Sequence, residues 1–153
     1  FKTNIASHIT LNLSISEEFA LNDVNELIVK INPIYFNFNK ANIRPDAARE
    51  LNKVVAVMNK YPDMIIAGNS HTDARGKESY NQNLSERRAK FTVDYIISRG
   101  ISPDRISDKG YGETQLTNGC VDNDSHTNRV KCTSEEHQAN RRTEFVIVSF
   151  SKK

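Results

Sequence analysis

Residues 64–76 read MIIAGNSHTDARG, an apolar run followed at once by polar residues. The run Met64–Ala67 is short enough to be a buried strand, and residues 70–76 then form a loop at its carboxyl end. A helical segment follows over about 78–99, and Gly100 is a typical C-terminal stop. A buried strand that leads through a polar loop into a long helix predicts a sheet with helices packed against it.

The flanking sequence extends this prediction in both directions. Upstream, the aromatic segment 34–38 favours a strand, and Arg44-Pro45-Asp46 opens a helix that Tyr61-Pro62 ends. Downstream, residues 105–107 and 110–112 indicate a short strand and a bend, Ser134 caps a short helix, and residues 143–150 form a last strand. This order predicts an α+β fold with a mixed sheet, written βαβαβ(α)β.

Residues 1–31 differ from the rest of the chain. Ile9, Leu11, Leu13 and Ile15 alternate with polar residues, which is the period of a strand. This segment is predicted to be either an added strand or the tail of an upstream domain. We therefore divide the chain into an N-terminal extension, 1–31, and a domain, 32–153.

Composition excludes several classes of protein. The chain has 153 residues, of which 37% are hydrophobic and 26% charged, and its net charge is +2. These values are typical of one soluble globular domain and not of a disordered chain. The charge is too small for a non-specific grip on nucleic acid, and no stretch approaches the length of a membrane span.

Two cysteines, Cys120 and Cys132, bracket a polar loop. They are either a disulfide, which would imply an oxidising compartment, or two free thiols. A metal site in the loop is a weaker hypothesis, since Asp122, Asp124 and His126 lack the glycine and glutamate of a calcium loop. A hydrolase triad from Ser70, His71 and Asp73 is weaker still, because residues adjacent in one loop seldom reach triad geometry.

Arg88 is the anomaly of the second helix. At roughly 100° per residue it lies about 40° from Leu84, inside an apolar arc that we expect to include Phe91 and Tyr95. A guanidinium on that face needs a partner, because a lone buried charge is costly. Either Arg88 extends its charged end to solvent or pairs with an internal carboxylate, or its planar fork binds a ligand carboxylate. Asp73, at the carboxyl end of a strand, would then suit the ammonium of an amino-acid-like group.

Five motifs in order now resemble one family, the OmpA-like C-terminal domain, a peptidoglycan-binding module also found in Pal and MotB. They cover about residues 32–150 and lie at Tyr35-Phe36-x-Phe38-x4-Ile43-Arg44-Pro45, Ser70-His71-Thr72-Asp73-x2-Gly76, Tyr80-Asn81-x2-Leu84-Ser85-x2-Arg88-Ala89, Gly110-Tyr111-Gly112-Glu113 and Asn140-Arg141-Arg142. Asn37 and Ser70 depart from the family, which usually has Asp and Gly there. The resemblance implies helices on one face of a mixed sheet.

The resemblance also implies a non-catalytic site for the diaminopimelate of the peptidoglycan stem peptide. Asp73 would take the ammonium and Arg88 the carboxylate. Further residues match pocket positions, namely Asn39, Asn81 and Arg141, with Thr72 and Leu84 shaping the site. No metal or cofactor is implied, and Cys120 and Cys132 match the disulfide of many members.

The implied location is the periplasmic face of the outer membrane in a Gram-negative bacterium, with the anchor elsewhere in the full-length protein. The domain would tether that membrane to the cell wall. The alternative is a structural or protein-interaction module that no longer binds peptidoglycan.

Overall fold

The two long helices form where the sequence predicts them. The computed structural model describes residues 18–37, 40–118, 120 and 132–150. Helix α1 spans Pro45–Lys60, with Tyr61 as its C-cap, and helix α2 spans Glu78–Ser98. Gly100 adopts a φ of 104°, which explains why glycine follows the end of α2. No helix within the described ranges is both long and apolar enough to cross a membrane.

The helices pack against a five-stranded sheet. Its strands are β1 (Phe19–Leu21), β2 (Leu27–Val29), β3 (Met64–His71), β4 (Ile106–Gly112) and β5 (Arg142–Phe150), in the spatial order β1-β2-β5-β3-β4. A short helix, α3 (Ser134–Asn140), precedes β5. Strand β3 runs parallel to β4 and antiparallel to β5, so the predicted mixed sheet is confirmed.

The core lies between one face of the sheet and the two long helices. Met64 and Ile66 of β3 and Phe145 of β5 are buried there, together with Leu51 and Met58 of α1. Alternate strand residues point to opposite faces, and the other face carries exposed Ile65 and Val148. The helices therefore cover one face, as predicted.

The predicted strand over residues 34–38 is wrong for its described part. Residues 34–37 form no strand, and Phe38 lies outside the described residues. Both edges of β5 are occupied, by β3 and by β2, so this segment cannot pair beside β5. Ile34 is instead buried against the core without joining the sheet.

Three boundaries also differ from the prediction. Strand β3 continues through Ser70 and His71, because both residues still pair with β5. Strand β4 is one continuous strand and not a strand with a bend. Helix α3 is capped by Thr133 and not by Ser134, since Thr133 and Glu136 form a reciprocal capping box.

The described end of the N-terminal segment belongs to the sheet. Strands β1 and β2 form an antiparallel pair, and β2 extends it onto β5 through the Ile28–Val146 register. Phe19 and Leu27 are buried in the core. Residues 9–16, whose alternation predicts a strand, lie outside the described residues.

Candidate functional site

Asp73 lies in the loop directly after β3 and is only 5% exposed. Its Oδ1 accepts the backbone N–H of Arg75 at 2.9 Å, while its Oδ2 accepts Nη2 of Arg75 at 2.9 Å and Nη1 of Arg141 at 2.6 Å. Burial disfavours the carboxylate, but the hydrogen bonds from Arg75 and Arg141 outweigh burial and lower the pKa of Asp73. Asp73 is therefore a fixed negative charge at neutral pH.

Arg88 is half-buried on α2 and bonds to no carboxylate among the described residues. Its Nε donates to the backbone carbonyl of Lys40 at 3.0 Å, and its guanidinium lies 4.7 Å from the ring centroid of Phe36. Burial lowers the pKa of Arg88, which still leaves the guanidinium charged at any physiological pH. One carbonyl and one aromatic face therefore hold this cation, and no hydrogen bond to a described residue uses its terminal nitrogens.

The buried face of α2 differs in part from the predicted arc. Phe91 is 44% exposed, although periodicity places it beside buried Leu84. The helix instead turns small residues, Ser85 and Ala89, inward, because its backbone approaches β4 closely at Gly110. Arg88 borders this buried face, as predicted.

Asn81 ties the Asp73 loop to its surroundings. Its Nδ2 donates to the carbonyl of Arg75 at 2.9 Å and to Oε1 of Glu113 at 3.0 Å, and Asn81 is 4% exposed. Thr72 bonds through its hydroxyl to the carbonyl of Asp73 at 2.9 Å. These contacts stabilise the loop that presents the carboxylate.

The predicted site residues come from separate parts of the chain. Asp73 and Thr72 follow β3, Asn81 and Leu84 lie on α2, and Arg141 is the C-cap of α3. Of these, Arg141 donates to the carboxylate of Asp73, and Asn81 donates through Nδ2 to the backbone carbonyl of Asp73 at 3.3 Å. Arg88 is not bonded to Asp73, although Asp73 raises and Arg141 lowers its pKa beside the larger effect of burial. Asn39 lies outside the described residues.

Three residues that contact the predicted site residues were not themselves predicted from the sequence. Arg75 and Glu113 sit inside two of the recognised motifs, yet nothing in their spacing pairs them with Asp73 and Asn81. The sequence predicts Phe36 as a strand residue, and its contact with Arg88 depends on how the segment before α1 folds.

The triad hypothesis gains no support from the described residues, and the metal hypothesis falls on residues outside them. The hydroxyl of Ser70 pairs with that of Thr143 at 2.9 Å, and the His71 ring stacks on Tyr111, so the two form no triad with Asp73. The predicted disulfide is confirmed between Cys120 and Cys132. Asp122, Asp124 and His126 lie outside the described residues.

His71 makes stability depend on pH. Burial, with a smaller effect from Arg142, lowers the pKa of His71 from 6.5 to about 3. Between these values the unfolded chain binds a proton that the folded chain does not. We therefore expect the free energy of unfolding to fall as pH drops below 6.5, with a slope approaching about 1.4 kcal/mol per pH unit.

Urea unfolding between about pH 7 and pH 4.5, a window above the titration of Asp73, measures this slope. His71→Phe keeps an aromatic ring against Tyr111 and removes the titration, so its profile is expected to be flatter. Equal slopes in the two proteins would show that His71 is not the cause.

These observations define a class of protein: an α+β domain with a mixed sheet, a buried carboxylate in the loop after β3 and a half-buried arginine on its second helix. A sequence model described as the OmpA family matches residues 35–130, which is more than half of the chain. The chain belongs to the OmpA family.

Curated relatives agree with this assignment. Outer membrane protein A of Escherichia fergusonii is 40% identical over 90 residues, covering 56% of this chain and 36% of that protein. The corresponding protein of Escherichia coli O157:H7 is also 40% identical over 90 residues, covering 56% of this chain and 25% of its own length. The chain thus spans about a third or less of these relatives.

Solved structures share the fold at low identity. The peptidoglycan-associated lipoprotein of Burkholderia pseudomallei has a TM-score of 0.63 and 19% identity, with 77% of this chain and 90% of that chain covered. A putative MotB-like protein from Desulfovibrio vulgaris has a TM-score of 0.67 and 21% identity, with coverages of 99% and 90%. The cell wall anchor of the T6SS from Pseudomonas aeruginosa has a TM-score of 0.63 and 16% identity, with coverages of 99% and 100%.

Proposed function

We propose that this domain binds cell-wall peptidoglycan without catalysis, through the diaminopimelate of the stem peptide. The observation that carries the proposal is Arg88, a half-buried guanidinium held by Phe36 and a carbonyl but by no carboxylate among the described residues. Asp73, ionised and buried, supplies the opposite charge after β3. Two similar folds belong to proteins described as peptidoglycan-associated and as a cell wall anchor, which supports the same class of ligand.

The distal end of diaminopimelate carries one ammonium and one carboxylate. The carboxylate would accept two parallel N–H bonds from the fork of Arg88, which is the strongest geometry available to that pair. The ammonium would approach Asp73, whose oxygens already accept three N–H groups. The side chain of Arg75 is 50% exposed, so the ligand ammonium would replace Arg75 at Asp73 with the smallest loss of free energy.

The remaining predicted residues form the walls of this proposed site. Arg141 fixes the orientation of Asp73, while Asn81 and Thr72 hold its loop. Leu84, one turn before Arg88 on α2, adds an apolar wall. Asn39 is assigned to the pocket on the family resemblance alone.

We further propose a binding module and not an enzyme, at the periplasmic face of the outer membrane of a Gram-negative bacterium. Relatives named outer membrane protein A support this envelope location. The Cys120–Cys132 disulfide supports an oxidising compartment, because thiols stay reduced in the cytosol. An anchor elsewhere in the full-length protein would complete the tether between membrane and wall.

Sedimentation with purified, insoluble peptidoglycan tests the proposal. Wild type is expected to pellet with the wall, and Asp73→Ala to remain mostly in the supernatant, because the ligand ammonium then loses its counter-charge. Asp94→Ala is a matched control, since Asp94 lies on the exposed face of α2 and pairs with Lys90. Circular dichroism checks that both variants are folded.

The alternative is a protein-interaction module that has lost peptidoglycan binding. It predicts that wild type and Asp73→Ala stay in the supernatant alike. Full sedimentation of Asp73→Ala would instead show that the wall binds elsewhere on the domain.

A further inference from the structure

Arg141 lies between two residues that are tied to the same segment. On one side, Asn140 is fully buried, and its Oδ1 accepts the backbone N–H of Thr117 at 2.7 Å and its hydroxyl at 3.0 Å. On the other side, Nη2 of Arg142 donates to the carbonyl of Gln115 at 3.0 Å. The backbone position of Arg141 is therefore set by residues 115–118.

Asn118 closes this network. Its Oδ1 accepts Nδ2 of Asn140 at 2.9 Å and the backbone N–H of Cys120 at 3.1 Å, while its Nδ2 donates to the carbonyl of Glu136 at 2.9 Å. The side chain of Asn118 thus joins the middle and the last residue of α3 to the first cysteine of the disulfide. These are side-chain bonds and not sheet ladders, so a single substitution removes them.

The disulfide fixes the other end of the same bridge. Cys132 directly precedes Thr133, the N-cap of α3, and Cys120 lies two residues after Asn118. The bond therefore links the start of α3 to the segment that Asn118 and Asn140 hold at its end. Helix α3 is only seven residues long, so it depends on such tertiary contacts for its position.

We propose that Asn118 and Asn140 are positioning residues that hold Arg141 against Asp73, and that the Cys120–Cys132 disulfide keeps this amide pair in place. The effect of this positioning on ligand binding rests on the proposed function. The positioning of Arg141 itself, which is the geometric claim, does not, because Arg141 contacts Asp73 without ligand.

Titration of the Asp73 carboxyl carbon by NMR tests the geometric claim. Arg141→Ala removes one of the hydrogen bonds that favour the Asp73 carboxylate, so it is expected to raise the pKa of Asp73. Asn118→Ala should produce most of that rise by displacing Arg141. Asn83→Ala is the matched control, since Asn83 is an exposed residue of α2 whose side chain bonds only to Arg87 among the described residues.

Removing the disulfide tests the contact between Arg141 and Asp73 in a second way. Replacing both cysteines, as Cys120→Ala with Cys132→Ala, leaves every side chain of the amide pair intact, and it too is expected to raise the pKa of Asp73. An unchanged Asp73 pKa in folded Asn118→Ala and in the double cysteine variant would overturn the proposal. A rise in Asn83→Ala of the same size would do so as well.

Affinity for a soluble muropeptide that contains diaminopimelate supplies the functional readout. Asn118→Ala is expected to bind about threefold to tenfold more weakly, and to have no further effect in Arg141→Ala, since residues that act through one contact are not additive. Additive losses would mean that Asn118 acts by another route. Absence of binding by wild type would contradict the proposed function, whereas the Asp73 titration would still decide the positioning claim.

Discussion

A muropeptide with lysine in place of diaminopimelate is expected to bind this domain at least about thirtyfold more weakly. The two ligands share the distal ammonium, but lysine lacks the distal carboxylate. Arg88 is half-buried, and burial already lowers its pKa, so ligand that covers Arg88 without pairing it leaves a desolvated charge. Leaving one partner of a buried charge pair alone costs about 2–5 kcal/mol, and every 1.4 kcal/mol is a factor of ten.

The comparison is sharpest when Arg88 itself is changed. Arg88→Gln keeps a polar side chain of similar reach and removes the charge, so it should bind both muropeptides weakly and with nearly equal affinity. Arg87→Gln is the matched control, because Arg87 is the adjacent, exposed arginine of α2 and bonds to Asn83. Isothermal titration of the three proteins with each of the two muropeptides measures the discrimination. Equal affinity of wild type for the two ligands would remove the role assigned to Arg88.

Gly110→Ala is expected to lower the free energy of unfolding by about 3 kcal/mol, at the upper end of the cost of overpacking. An added Cβ at Gly110 would lie 2.3 Å from the backbone N of Glu86 and 2.6 Å from the carbonyl carbon of Ser85. Backbone of a helix interior cannot rotate away as a side chain can. Helix α2 must therefore move away from β4, and the buried contacts between Ser85 and β4 are then lost.

Gly68→Ala is the control for this prediction. Its added Cβ would meet Cγ2 of Val93 at 2.9 Å, which is a side-chain atom, so the expected loss is smaller. Neither glycine adopts a positive φ, which separates crowding from backbone strain. Urea denaturation of both variants measures the difference, and equal losses would show that the helix backbone is not the obstacle.

The long, periodic elements were predictable because their signals are local. The Pro45 start of α1, the Gly100 stop of α2 and the apolar run at Met64 each fix an element from neighbouring residues. The segment before α1 was not predictable in the same way. Its aromatic residues suit a strand, yet in the fold β2 pairs with the edge of β5 that faces away from β3, and the segment instead buries Ile34 against the core.

The candidate site also combines features that local sequence signals predict with features that depend on tertiary packing. Periodicity showed that Arg88 borders the buried face of α2, and the motifs named Asp73 as its proposed counterpart. The sequence did not decide which charged side chains form ion pairs, and it left open whether Arg88 pairs with an internal carboxylate. In the fold, Arg75 and Arg141 take the carboxylate of Asp73, and Arg88 lies over Phe36.

The sequence by itself determined the helices, the strand that leads into the Asp73 loop and the family resemblance, since these depend on residues close in the chain or in fixed order. Only the tertiary structure decided that Arg141, sixty-eight positions after Asp73, holds its carboxylate, and that Arg88 donates to the carbonyl of Lys40 instead. The physical reason is that a charge pairs with whichever opposite charge the packing brings within a few ångströms, and packing joins distant parts of the chain.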